Sequence, residues 1–191
     1  LKGKNIPTLY ISFEPNECSC EISRRFLSQF DYIWSSDHQL PTYASILPTH
    51  TWWLGVELSV TGKGHIRSVK PTFDYNFFAR QNFSLPPNER ILVISSTKKI
   101  YSGHAKRAEL IESLLQDPNI GSRIDVFGQG YRSFSDKLDL ILKYRYVLVI
   151  ENECKHDYWT EKLADVFLLN RQVIYVGCTN ISKYFPGLRT Y

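Results

Sequence analysis

Methionine is absent from the 191-residue chain, position 1 included, and cysteine occurs only four times. The first absence leads us to expect a fragment or a processed chain. The second excludes a small secreted scaffold stapled by disulfides, which needs a far higher cysteine density. Cys18, Cys20, Cys154 and Cys178 read as reduced thiols. Cys18-Ser19-Cys20 lacks the two-residue spacing of redox and zinc motifs, and no second Cys/His pair stands nearby to complete a tetrahedral site. No apolar run reaches the ~18 residues of a membrane span, and no secretory leader pattern opens the chain, so it reads as soluble. Neither sign of charge dominates: 23 basic residues face 19 acidic ones, and the basic ones are dispersed. Nucleic acid is therefore not an indicated partner, while a single anionic ligand stays open. Low-complexity tracts, internal repeats and any metal-binding Asp-x-Asp are missing too.

What is present is globular. With 43% hydrophobic and 14% aromatic residues the chain can bury a real core, in one large or two small domains. Thr8 to Phe13 reads as a strand, Glu21 to Phe30 as a helix with apolar Ile22, Phe26 and Phe30, and Tyr32 to Trp34 as another strand. Thr51 to Val56 reads as one more. Thr61-Gly-Lys-Gly-His65 and Ser84-Leu-Pro-Pro-Asn88 then punctuate a stretch of weak periodicity. From Arg90 the pattern is regular. Strands at Ile91–Ile94, Ile124–Phe127, Tyr146–Ile150 and Val173–Val176 alternate with helices at Ala105–Leu115, Phe134–Leu142 and Tyr158–Leu169. Such alternation predicts parallel βαβ units and an α/β, Rossmann-like domain over 90–191. A partial α/β domain is expected over 1–60, with 61–89 as a linker.

Ligands of open α/β sheets bind beyond the carboxyl ends of the strands. That rule selects Ser95-Ser-Thr97 with the loop to Arg107, Gly128-Gln-Gly130, Glu151 to Lys162, and Gly177-Cys-Thr179. The third segment sets two acids and an amide directly after a buried strand. Asp157 then suits an N-cap, which would put Tyr158, Glu161 and Lys162 on one helical face. Spacing alone leaves open whether this is a site or a capped surface helix.

The residues themselves go further. Tyr144-Arg-Tyr-Val-Leu-Val-Ile-Glu-Asn152, then Asp157-Tyr-Trp-Thr-Glu-Lys-Leu163, then Val173-Ile-Tyr-Val-Gly177 resembles the signature of the α1,3-fucosyltransferase family. Arg107 in the helix after Ile91–Ser96, and Asp125-Val-Phe-Gly128, resemble elements of that family's donor domain. Ile11-Ser-Phe-Glu-Pro-Asn16 followed by Phe30-Asp-Tyr-Ile-Trp34 resembles its acceptor-side strand end. The resemblance implies a GT-B fold in which 90–191 binds a nucleotide sugar and 1–60 is part of the acceptor-side domain. It also implies metal-independent, inverting transfer of fucose, or a related sugar, from a GDP-sugar donor to a glycan hydroxyl.

The site residues it implies are Glu14 as catalytic base, Arg107 and Lys162 on the diphosphate, and Tyr158 and Glu161 on the donor. Asn152 would brace the loop, and Gly128 would stand in the nucleotide-pocket wall. GDP-fucose would be a substrate, and no cofactor or metal is expected. Membrane association would come only through segments absent here. The compartment would be cytoplasmic or membrane-peripheral in a bacterium or virus, and the Golgi lumen in a eukaryote.

Two departures stand out: Glu153 where the family usually has Ser, and Gln172 where it usually has Pro. With the incomplete first domain, they keep open a catalytically silent nucleotide-sugar or glycan-binding module. From the residues alone, Glu14 also reads as an edge carboxylate paired with Arg24 or Arg25, and Arg107 as a surface helix residue. His38, His50, His65, His104 and His156 have no mutual spacing of a metal or triad site and read as ordinary residues. Ser95 and Ser96 lack the Gly-x-Ser-x-Gly elbow of a hydrolase. Trp52-Trp53 and Phe77-Phe78 suit core packing better than sugar stacking.

Overall fold

The structure, a computed structural model, describes residues 6–12, 23–35, 44–46, 56–60, 66–71 and 75–188, with backbone only at 44–46, 56–60, 66–71 and 75. Strands β1 (Leu9–Ile11), β2 (Tyr32–Ser35) and β3 (Ala44–Ile46) form a parallel sheet in that order. Between the first two lies α1 (Arg24–Leu27), capped by the Ser23 hydroxyl, which accepts from the Phe26 N–H. The helix is much shorter than the predicted Glu21–Phe30. Gln29 and Phe30 donate three residues back, to Phe26 and Leu27, and this turn closes the helix. Phe30 is thereby brought against Tyr10, at 5.4 Å between ring centroids.

Strands β4 (Val56–Val60) and β5 (Ile66–Pro71) pair antiparallel, and α2 (Tyr75–Arg80) follows. Regular structure therefore occupies part of the 61–89 stretch read as a linker. The missed signal is Val56-Glu-Leu-Ser-Val60, a strict apolar/polar alternation beginning where the predicted strand ended. Residues 51–55 of that predicted strand lie outside the described residues.

The regular part of the sequence folds as read. Strands β6 (Ile91–Ile94), β7 (Ile124–Phe127), β8 (Tyr146–Ile150) and β9 (Gln172–Val176) make an all-parallel sheet in the order β7-β6-β8-β9. Helices α3 (Ser102–Gln116), α4 (Lys137–Leu142) and α5 (Glu161–Leu168) are the crossovers. Strand periodicity of two splits the apolar side chains between two faces. Val93, Val126, Leu148 and Ile150 pack with Ile111 of α3, whereas Leu92, Val147, Val149 and Tyr175 pack with Ile141 of α4 and Leu163 of α5. Phe78 of α2 joins the second core. The fold is Rossmann-like, and the chain leaves β6 toward β7 on one side and returns to β8 on the other. That reversal is a topological switch point, where the carboxyl ends of β6 and β8 splay apart.

Helix starts differ from the sequence reading, each for a local reason. Helix α3 begins three residues early because the Tyr101 carbonyl accepts from Ala105. Helix α4 begins at Lys137, where the Asp136 carboxylate accepts from Asp139 N–H at 2.8 Å. Helix α5 begins at Glu161 and is capped by Thr160, not by Asp157, which sits at φ +58°.

Candidate active site

At the switch point the first turns of α3 face the loop that leaves β8. Tyr101, His104, Arg107 and Leu110, three residues apart, present one stripe of the helix to Glu151, Asn152, Glu153, Cys154 and Val176. Between these walls lies a cleft of about 390 Å³. The walls approach so closely at Gly103 that a Cβ there would stand 1.6 Å from the Asn152 carbonyl oxygen. Only glycine fits.

Arg107 is buried, 7% exposed, and spans the gap. One terminal nitrogen donates to the Asn152 side-chain carbonyl and the other to Ser96 Oγ at 3.5 Å, while Nε is buried without a partner among the described residues. Burial lowers its pKa, against the pull of Glu151, Tyr158 and Tyr131, yet a guanidinium stays charged throughout the accessible range. Its surface-helix reading is thus overturned. Asn152 braces the loop by holding Arg107.

Glu151, which no role was assigned to from sequence, organises the start of α5. Its buried carboxylate accepts from the Thr160 N–H at 2.9 Å, the Thr160 hydroxyl at 2.7 Å and Lys162 Nζ at 3.4 Å. Burial alone would push Lys162 down, but the Glu151 and Glu161 carboxylates raise its pKa above the ordinary value. The sequence signals for Glu151 are an acid placed directly after a buried strand and its place in the family-like Glu-Asn pair.

Lys162 and Glu161 line a neighbouring cavity of about 150 Å³, walled by Ile94, Ile141 and Val166 on the α4–α5 side of the sheet. The predicted common face of Tyr158, Glu161 and Lys162 is corrected by the later start of α5: Tyr158 precedes the helix and is 3% exposed. It lines neither cavity. Asp157 is diverted from capping because its carboxylate accepts from Asn180 at 2.9 Å, Lys183 at 3.3 Å and the Tyr184 hydroxyl. Gly128, at φ +122°, closes the turn after β7 with its Cα against the Ser95 carbonyl, beside the cleft and not in its lining. Glu14 lies outside the described residues, as do Cys18, Cys20, Trp52 and Trp53.

His104 is not the ordinary residue its spacing implied. It lines the cleft, its Nδ1 is buried with no hydrogen-bond partner among the described residues, and its ring lies tilted against Tyr101 at 5.3 Å. Burial, then Arg107, Lys162 and Lys98, lower its pKa, so it is neutral at pH 7. Phe78 is core, as expected. Asp125, by contrast, is tied into an ion cluster: Arg90 donates at 2.6 and 2.8 Å, Arg132 at 2.9 Å and the Tyr144 hydroxyl at 3.1 Å. Among the described residues no three His, Cys, Asp or Glu side chains group as a metal site, and Cys154 and Cys178 are free thiols.

A fixed, buried cation at the carboxyl edge of a parallel sheet, with a second cation held behind it, is an arrangement suited to a phosphorylated ligand. Comparison with known proteins agrees in kind. The profile of glycosyltransferase family 10 (fucosyltransferase), C-terminal part, matches residues 88–187, which spans β6 to β9 with the whole cleft. No curated protein and no solved structure matches the chain significantly. The family match takes in more than half of the 191 residues, and it covers every residue named above as a wall of the cleft. The chain belongs to glycosyltransferase family 10, the fucosyltransferases, and is a transferase enzyme.

Proposed function

We propose that the chain transfers fucose, or a closely related sugar, from a GDP-sugar to a hydroxyl of a glycan, with inversion and without a metal, in a GT-B arrangement whose donor half is the β6–β9 domain. The observation that carries the reading is Arg107. It is a buried guanidinium oriented by Asn152 and opening on a cleft at the switch point, inside the family-matched segment. Breaking the bond between sugar and diphosphate leaves negative charge on the nucleotide, and preorganised cations stabilise that charge as it forms. Arg107 meets the diphosphate first, and Lys162, held by Glu151 and Thr160, supplies a second positive charge behind the strand end. Tyr158 and Glu161 shape the donor side, and Gly128 keeps the neighbouring turn close. Glu14, in the stretch that resembles the family's acceptor-side segment, removes the acceptor proton as the hydroxyl attacks from the face opposite the nucleotide.

Two measurements test this. GDP and GDP-fucose should raise the melting temperature through preferential binding to the native state, while UDP- and CMP-sugars should raise it less. An equal or absent response to GDP removes the donor assignment. In a fucosyl-transfer assay run with EDTA, Glu14→Gln should keep GDP affinity and lose about 10²–10⁴-fold in transfer, as a general base does. Parental transfer by Glu14→Gln would place the base elsewhere. GDP binding with no transfer by the parent chain would favour a silent nucleotide-sugar-binding module.

A further inference from the structure

Besides Arg107 Nε, two polar atoms on the cleft walls stand out. Glu153 Oε2 on one wall and His104 Nδ1 on the other are shielded from solvent, and neither has a hydrogen-bond partner among the described residues. A buried polar atom left unpaired is destabilising, so unpaired atoms inside a cleft point to a ligand that completes them. The two atoms also restrict what that ligand presents. A carboxylate oxygen accepts hydrogen bonds and is poorly matched to a phosphate, so the group that meets Glu153 Oε2 is a hydrogen-bond donor such as a hydroxyl.

Glu153 follows Asn152, the residue bonded to Arg107, and adjacent α-carbons are about 3.8 Å apart. Glu153 and Arg107 line the same cleft, so a ligand held by Arg107 brings its neighbouring groups to the wall that Glu153 occupies. The groups joined to a diphosphate in a nucleotide sugar are two polyhydroxylated rings.

We infer that Glu153, with His104 facing it, selects the donor by hydrogen bonds to hydroxyls of the ring adjoining the diphosphate. This rests on the GDP-sugar reading of the cleft. A neutral imidazole offers one donor and one acceptor, so His104 can serve a hydroxyl in either sense. Glu153 is then a determinant of donor choice.

The test is calorimetric titration of the 191-residue chain and of Glu153→Ser, Glu153→Gln and His104→Ala with GDP, 2′,3′-dideoxy-GDP and GDP-fucose, each variant first checked for a cooperative melt. Glu153→Ser should weaken GDP-fucose binding tenfold or more. Glu153→Gln, which keeps a carbonyl acceptor, should lose less, and His104→Ala should lose threefold or more. If the loss appears with GDP and vanishes with dideoxy-GDP, the ring is ribose. If it appears only with GDP-fucose, the ring is the transferred sugar. Both outcomes support the inference. A parent that binds GDP-fucose while Glu153→Ser binds it equally or more tightly overturns it, as does an equal loss with all three ligands. A parent blind to GDP and GDP-fucose removes the donor reading and this inference with it.

Discussion

Arg107 carries the proposed donor contact, and its environment sets what removing it does. Its nearest partners are Asn152 and Ser96, both neutral, so Arg107→Ala leaves no carboxylate stranded against it. The variant should fold and lose at least tenfold in GDP affinity, since charge-assisted hydrogen bonds contribute about 1.5–3 kcal/mol. Calorimetry at low salt reads this directly, and unchanged affinity would move the diphosphate away from α3. Lys162→Ala is a different experiment because it also removes a donor from the buried Glu151 carboxylate. It should weaken GDP binding and lower the melting temperature together.

Asp157 makes a pH prediction. Burial alone would raise its pKa, but hydrogen bonds from Tyr184, Asn180 and Lys183 outweigh burial and hold it at about 2, below the ordinary 3.8. A depressed carboxylate contributes stability that is complete above the unfolded value and drains as pH falls through the folded one. The native state should lose about 2 kcal/mol between pH 4 and pH 2 from this group. In Asp157→Asn that part of the slope should disappear from the melting temperature measured against pH, and an unaltered slope would assign the acid sensitivity to other carboxylates.

Helix α5 shows how one cap connects a strand end to a site. Thr160 Oγ1 accepts from the Lys162 N–H at 3.3 Å and from Lys162 Nζ at 3.1 Å, while its hydrogen goes to Glu151 at 2.7 Å. Replacing an N-cap Thr by Ala costs about 0.5–2 kcal/mol. Here it also strips a donor from a buried carboxylate, so Thr160→Ala should fall at the upper end of that range. Thr160→Ser should restore most of the loss, because it keeps the hydroxyl. Thermal melts of the two variants check this, and equal melting temperatures for Ala and Ser would show the hydroxyl to be idle.

Across the molecule, the described residues just before Arg90 are joined to the β6–β9 domain by both apolar packing and hydrogen bonds. Phe78 of α2 lies in the same core as Leu92, Tyr175 and Leu163, and Asn170 and Arg171 donate to the Phe83 and Ser84 carbonyls at 3.2 and 2.7 Å. The segment joining α2 to β6 is therefore fastened to the far end of α5. Phe78→Ala should destabilise the β6–β9 domain by about 3–5 kcal/mol, as large aromatic truncations in cores do. Urea unfolding followed by tryptophan fluorescence reads this through Trp159, which is buried in that core. A change under 1 kcal/mol would show α2 to be dispensable to it.

What the amino-acid order determined by itself is the run from Arg90 onward. Short runs rich in Val and Ile, each separated by a helical stretch, read as strands buried on both faces, and the helices between them make the sheet parallel. The Glu-Asn and Asp-Tyr-Trp-Thr-Glu-Lys segments marked the family because their residues are contiguous in the chain. Tertiary structure decided the rest. Asp157 is the better cap by residue type, yet Asn180, Lys183 and Tyr184, 23 to 27 residues away, claim its carboxylate and leave the cap to Thr160. Arg107 meets Asn152 across 45 positions, so neither its burial nor its orientation is written in the helix that bears it. His104 is unremarkable in its local sequence and Glu153 stands out there only as a departure from the family pattern; the closing of α3 onto the β8 loop at Gly103 puts them in one cleft. Local periodicity sets which elements form, because its energetics act within a few residues. Which polar groups are buried, paired or left free is set by neighbours that the fold alone brings within reach.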